Sequence, residues 1–302
     1  MSSDFPLVSI GLPAFNEEKT IARALDSLLA QTYPNFEIII SDNCSTDKTV
    51  QICEVYAEKD NRITLNINKK NLGINANFWI VHNKGNGKYF MWAGADDYWE
   101  PEFLKTLVNK LESDSTAGVA LCAVRRENPD GSLKDIIRFD GKYNPDKLSH
   151  WQVALKLLSP REQIQLLKYN LFICGLFKYE AISDIFAVGH DILSYGERAF
   201  LIVVALAHKF RYVNDILFSK TLHSKSFRNR HPNDEFVQTK RELTYWQYYL
   251  KYYYRIMVCI AKCSNIPLRR KSFVLIFLYW ITLRFAYRQK KKVRKALYGK
   301  NG

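Results

Sequence analysis

Short apolar runs that stop at a polar breaker, each followed by a helical pattern, govern what the first hundred residues can fold into. Leu7–Leu12 lies between Pro6 and Pro13, Phe36–Ile40 ends at Ser41-Asp42-Asn43, Ile63–Ile67 precedes a turn at Asn71-Leu72-Gly73, and Tyr89–Ala93 is bounded by Gly87 and Gly94. Run length and breakers read these as four strands. Between them, Ile21, Ala22, Leu25, Leu28 and Leu29 recur at helical spacing with Asn16 or Glu17 available as cap. Thr46 is positioned to cap a second helix that turns Val50, Cys53, Tyr56 and Ala57 inward, and Asn75–Asn83 reads as a third, shorter helix. A β-α-β-α-β-α-β order with short apolar strands predicts a parallel sheet covered on both faces. Ligands of such sheets collect beyond the carboxyl ends of the strands.

Those ends carry the chemistry. The first delivers Pro13, Ala14, Phe15, Asn16 and Glu17, the second Asp42, and the fourth Asp96 and Asp97. Four acids and an amide on one edge repel unless a cation or hydrogen-bond donors lie among them. A nucleotide with its metal supplies both, offering base and ribose donors to Glu17, Asp42 and Asp96 and a divalent ion to Asp97. Each residue taken singly also has a local explanation: Asn16 and Asp42 suit a turn or helix cap, and Asp96-Asp97-Tyr98 followed by Pro101 suits the start of the next helix.

Charge divides the chain. Residues 226–302 hold 18 Lys and Arg against three acids, so the formal excess of +14 belongs to the last quarter. A near-neutral body with a basic C-terminal surface could face anionic lipid or nucleic acid. The 47% hydrophobic content excludes a disordered chain. Met1–Pro6 is polar and opens no signal peptide, and the six cysteines show neither a C-x-x-C pair nor even spacing, which suggests a reduced, cytosolic chain with buried thiols.

The run VSIGLPAFNEEKTIARALDSLLAQTYPNFEIIISDNCSTDKT, the N-x-G turn at Asn71–Gly73 and the G-x-YF-x-W-x-x-x-DD element at Gly87–Asp97 together resemble a family 2 glycosyltransferase with the GT-A fold. The agreement is close over about the first 125 residues and looser to about 225. The resemblance implies an α/β, Rossmann-like, mostly parallel sheet flanked by helices. It divides the chain into a catalytic domain over residues 1–225, with donor binding in 1–125 and the acceptor side in 126–225, and a helical, basic, aromatic-rich extension over 226–302. Pro13–Glu17, Asp42, Gly73 and Asn75 would hold the uridine-type nucleotide, Asp96 the ribose, and Asp97 a divalent metal, Mn²⁺ or Mg²⁺. Gly94 or Ala95 stands where the first acid of a D-x-D motif is usual, so metal binding rests on Asp97 and the substrate's phosphates.

Further along, Val119–Val124 reads as a strand, Pro129-Asp130-Gly131 as a turn, and Phe210–Phe218 as strand-turn-strand. Glu197 opens an apolar helical pattern, where an acid is an ordinary cap; in the resembling family a carboxylate here deprotonates the acceptor hydroxyl, with Asp191 as runner-up. His223 lies where relatives place an R-x-H segment near the diphosphate and could join the metal. Lys220 could offer that diphosphate a positive charge. A lone histidine also suits surface packing.

In the tail, Phe273–Ile281 is apolar between Arg269-Arg270-Lys271 and a basic terminus, and Arg284 arrives too soon for a span of ~20 residues. Interfacial helices on the anionic, cytoplasmic face of a membrane suit this pattern; an aromatic helix packed on the catalytic domain suits it too. Gln238-x-x-Arg241 runs into Glu242, so the glutamine-arginine-tryptophan signature of processive synthases is absent. The resemblance thus implies inverting sugar transfer from a UDP-sugar to a glycan or lipid-linked acceptor in cell-surface polysaccharide or glycolipid synthesis, and the missing signature implies that it is non-processive. Two rivals remain. One is a nucleic-acid-binding protein, disfavoured by basic residues set beside a continuous apolar run. The other is a nucleotidyltransferase, disfavoured by the lack of a glycine-rich, lysine-containing phosphate loop at the first strand end.

Overall fold

The computed structural model describes residues 5–141, 144–158, 172–187, 197–222, 254, 256–264, 266–272, 275–276 and 279. The four expected strands form as β1 (Val8–Ala14), β2 (Phe36–Asp42), β3 (Ile63–Ile67) and β4 (Tyr89–Trp92). The helices between them are α1 (Ile21–Leu29), α2 (Thr49–Lys59) and α3 (Ile74–Lys84). β2, β1 and β4 lie side by side and parallel, Ala14 facing Asp42 and Gly11 facing Trp92, so their carboxyl ends share one edge. β4 is buried along its whole length, as a central strand covered on both faces must be. α3 packs so closely over β1 that a Cβ on Gly11 would come within 2.7 Å of Val81 and Phe90.

The rest of the sheet departs from a purely parallel plan. Strands β5 (Tyr98–Trp99), β6 (Ala117–Glu127), β7 (Leu133–Ile137), β8 (Leu176–Lys178) and β9 (Lys209–Thr221) complete a nine-stranded sheet in the order β3-β2-β1-β4-β8-β6-β9-β5, with β7 beside β6. β8 runs antiparallel between β4 and β6, and the β5/β9 and β6/β7 pairs are antiparallel as well. β9 is one strand parallel to β6, not two around a turn: Cys122 faces Val213 and Ala123 faces Ile216, so Asn214 and Asp215 bulge out between paired residues.

Among the described residues, helices α4 (Phe103–Glu112), α5 (His150–Leu158), α6 (Tyr179–Ala187) and α7 (Glu197–Ala207) also pack on the sheet. Phe200 of α7 meets Trp92 at the end of β4 with ring centroids 5.6 Å apart and Phe177 of β8 at 5.8 Å. The same core takes in Ile256, Cys259, Ile260, Cys263 and Ile266, and Arg270 donates to the Leu206 carbonyl at 3.0 Å. Of the described residues of the expected extension, these five are buried in that core, whereas Tyr254, Leu268, Ile276 and Tyr279 are exposed. No helix among the described residues is long and apolar enough to cross a membrane.

Candidate active site

The loops leaving β1 and β2 are laced to each other. Asn16 adopts a left-handed backbone (φ 56°) and caps no helix; α1 begins after Thr20, whose hydroxyl donates to the Glu17 carboxylate at 3.1 Å. The Asn16 side-chain oxygen instead accepts from the Thr46 amide at 2.8 Å, and its own amide donates to Ser45 Oγ at 2.9 Å. The Glu17 amide donates to Thr49 Oγ1 at 2.8 Å and the Glu18 amide to Asp47 Oδ2 at 3.1 Å, while the Lys48 amide returns a bond to Glu18 at 3.0 Å. Thr46, expected as the cap of α2, lies before that position: the cap residue is Lys48, which makes no side-chain cap bond, and the Thr49 amide is taken instead by Asp47 at 2.9 Å. The reason is local: Asn16 and Cys44 (φ 66°) bend both loops so that side chains bridge across rather than along the chain.

Beneath this lacing lies a patch of amides. Asn43 donates to Asn71 Oδ1 at 2.9 Å and accepts from the Leu72 amide at 2.9 Å; Asn77 donates to the Ser41 carbonyl at 2.8 Å and accepts from Asn68 at 3.1 Å. These bonds hold Gly73, in a left-handed conformation at the start of α3, and Asn75 in its first turn beside the ends of β1 and β2. Pro13, Phe15, Glu17 and Asn75 are partly open, Asn16 is exposed and Ala14 is buried. Asp42 differs from expectation. It has no exposed surface, and its carboxylate accepts from both the amide and the hydroxyl of Ser45. The side chain that this edge presents above Asp42 is therefore Ser45, which the sequence reading passed over.

At the end of β4 the chain turns through Ala93–Asp97 into β5. Tyr98 pairs with Ser219 of β9, which brings the next two residues of β9 against Asp97. Lys220 Nζ lies 3.2 Å from Asp97 Oδ2, and the Thr221 amide donates to Oδ1 at 3.1 Å. Asp97 is 2% exposed, whereas Asp96 is half-buried. Burial pushes the Asp97 carboxyl up to about 6, against the pull of the Lys220 ammonium and with the help of the Asp96 charge. Partial burial works against the Lys220 cation, and the Asp97 carboxylate more than offsets it, so the lysine pKa is raised. Next to this pair, Arg23 stands over the Tyr98 ring at 5.3 Å and meets Glu127 at 2.8 Å.

A divalent cation takes six or more oxygen ligands or a tight octahedron, and among the described residues no group of three His, Cys, Asp or Glu could hold one. Gly94 offers no further ligand, and a Cβ there would meet Asp97 Oδ2 at 2.6 Å and Asp96 Oδ1 at 2.9 Å. Asp97, the expected metal ligand, has each oxygen engaged once here, Oδ2 by the Lys220 ammonium and Oδ1 by the Thr221 amide, which leaves further lone pairs on the carboxylate. The half-buried Asp96 fits a metal that brings its remaining ligands with it as phosphate oxygens and water. Glu197 begins α7, one turn before Phe200; Asp191 and His223 lie outside the described residues.

A family model described as glycosyl transferase family 2 matches residues 9–186, more than half of the chain. Chondroitin synthase of Pasteurella multocida is 26% identical over 218 residues, 72% of this chain and 21% of that protein. The chain spans less than half the length of the curated relatives it matches. Among solved structures, S. aureus TarS 1–349 in complex with UDP-GlcNAc superposes with a TM-score of 0.59 at 20% identity, covering 87% of this chain and 69% of that one. A mannosyltransferase from Pyrobaculum calidifontis in complex with GDP-Man and Mn²⁺ gives 0.54 at 16% identity, covering 99% and 89%. Both likenesses are of fold. With the family model spanning β1 to α6 and the acids lying at its strand ends, the chain belongs to glycosyl transferase family 2.

Proposed function

We infer that this chain transfers a sugar from a UDP-linked nucleotide sugar to a hydroxyl of a glycan or lipid-linked acceptor, with inversion and one sugar per visit, in cell-surface polysaccharide or glycolipid synthesis. The observation that carries the reading is the edge where β1, β2 and β4 deliver Glu17, the Asp42–Ser45 turn and the Asp96–Asp97 pair side by side. The UDP-GlcNAc held by a structural neighbour supports the donor class. On this reading Pro13–Glu17, Ser45, Gly73 and Asn75 line the base and ribose, and Asp42 acts through Ser45, which it holds by two hydrogen bonds. Asp96 holds the metal, Mn²⁺ or Mg²⁺, which when bound supplies positive charge to the diphosphate. Glu197 accepts the acceptor's proton as its oxygen attacks the sugar from the face opposite the departing diphosphate.

Two results test the donor side. Asp42→Asn is expected to weaken UDP binding by roughly 1–3 kcal/mol, the cost of disturbing a buried charged hydrogen-bond acceptor, with the protein still folded by circular dichroism. Titration calorimetry giving wild-type affinity would remove Asp42 from the site. EDTA is expected to lower UDP affinity and Mn²⁺ to restore it, and Asp96→Asn should lose that response. A response that survives in Asp96→Asn but disappears in Asp97→Asn would return the metal to Asp97.

The basic end supports a placement on the cytoplasmic face of an anionic membrane. Leu268, Ile276 and Tyr279 are 78%, 69% and 60% exposed, spaced so that one face of a helix would carry them, with Arg269 and Lys271 nearby.

A further inference from the structure

We propose that Trp92 is a positioning residue for sugar transfer: its indole fixes α7, the helix that begins with Glu197, against α3, the helix that borders the nucleotide, so that its loss lowers turnover more than donor affinity. The inference rests on Glu197 as the proton acceptor and adds the side chain through which its helix is held.

Trp92 is the last residue of β4 and is buried. Its Nε1–H donates to the Phe78 carbonyl of α3 at 3.3 Å, and the His82 and Phe78 rings of that helix lie stacked with it at centroid distances of 6.1 and 6.5 Å. Phe200 of α7 and Phe177 of β8 meet the same indole edge to face, each at 5.6 Å. The two helices are held at equivalent places. Phe78 follows Asn75, and Phe200 follows Glu197, by about one turn, so Trp92 touches each helix close to its N-terminus. α3 is fixed in turn to the donor edge, where Asn77 donates to the Ser41 carbonyl at 2.8 Å.

Ring packing gives these contacts a direction. Stacked and edge-to-face pairs hold preferred geometries, and a close-packed interior passes a displacement on instead of absorbing it. Leucine at position 92 would keep the strand apolar but remove the ring faces and the N–H, leaving α3 and α7 to settle toward the space the indole filled. Proton transfer is sensitive to such a shift: a misplacement of about 1 Å costs roughly 10²-fold in rate. Nucleotide binding is less exposed to it, because the loops after β1 and β2 are laced to each other by their own hydrogen bonds. An ordinary core residue supports the whole domain, whereas Trp92 joins the two helices to which donor and base are assigned.

Release of UDP from UDP-GlcNAc by the full chain with Mn²⁺, measured well below the melting temperature and beside UDP calorimetry, tests the proposal. Trp92→Leu and Phe200→Leu, which break the contact from either side, should each lower kcat by about 10–100-fold, with UDP affinity and the KM for UDP-GlcNAc within about threefold of the wild type. Trp92→Phe, which keeps a ring against Phe200, should retain most of the turnover. Leu111→Ala opens a cavity at a buried position of α4 and should lower the melting temperature without that loss per folded chain. Combined with Glu197→Gln, either leucine change should add little further loss, because both act on one step. Unchanged kcat in the leucine variants, full additivity in the double variants, or an equal kcat loss in Leu111→Ala means that Trp92 is a core residue only, and the proposal fails while Glu197 keeps its role. A fully active Glu197→Gln removes the base and the proposal together, and a wild type that releases no UDP overturns the proposal along with transfer from this donor.

Discussion

Glu197→Gln is expected to bind UDP as the wild type does and to lose turnover by about 10²–10⁴-fold, the range for removing a general base. The physical case begins with α7. Phe200 is fully buried and packs against Trp92 at the end of β4 and Phe177 of β8, so the first turn of the helix is anchored to the strand that leads into Asp96 and Asp97. Glu197 precedes Phe200 by one turn on that helix. A single-displacement reaction needs a proton acceptor on the side of the sugar opposite the leaving diphosphate. Glutamine keeps the volume and hydrogen-bonding capacity of glutamate but cannot take the proton. Initial rates with a UDP-sugar and acceptor, paired with UDP titration, separate the two effects. An active Glu197→Gln beside an inactive Asp191→Asn would move the base to Asp191.

Removing residues 245–302 is expected to unfold the protein or to lower its Tm by well over ten degrees. Ile256, Ile260 and Ile266 are buried in the same core as β1 and β6, together with Cys259 and Cys263. At about 1.5–3 kcal/mol for each buried aliphatic side chain, the three isoleucines alone approach the lower part of the 5–15 kcal/mol that holds a typical domain together. Arg270 also satisfies the Leu206 carbonyl at the end of α7, so the loss would reach the helix that carries Glu197. Thermal melts by circular dichroism decide: a truncated chain melting within two or three degrees of the full one would show that the tail folds apart. Membrane association therefore has to be probed by point changes. Leu268→Glu with Ile276→Glu should reduce sedimentation with anionic liposomes while leaving the melt in place.

The sequence made β1, β2 and β4 legible because parallel strands buried on both faces read as apolar runs between Pro, Gly and Asx breakers, and β3, the partly exposed edge strand, by its β-branched residues and the turn after it. β8 was not legible: Leu176–Lys178 is three residues long, and it is a strand only because β4 and β6 each pair with it. β9 looked like two strands because Asn214-Asp215 is a plausible turn, whereas pairing with β6 carries the strand past it as a bulge. The acids of the site were legible as a set, but their partners were not. Lys220 is distant from Asp97 in the chain, and only the β5/β9 register joins them. Ser45 stands three residues from Asp42, close enough for an Asx turn to be suspected, and Asn43 and Asn77 read as ordinary loop polarity until their amides were seen to bind one another.

β8 also sets an order on how the chain can be made. During synthesis β1 to β4 emerge first and can assemble among themselves, leaving β4, the most apolar of the four, with one side unpaired. Its neighbour on that side is β8, not β5 or β6, so the gap persists until residues 176–178 have left the ribosome. A wholly apolar strand with an open edge is a template for pairing with other chains. The N-terminal half is thus the aggregation-prone stage of biogenesis. Fragments ending before β8 are poor candidates for a soluble minimal donor-binding domain, however complete their nucleotide loops.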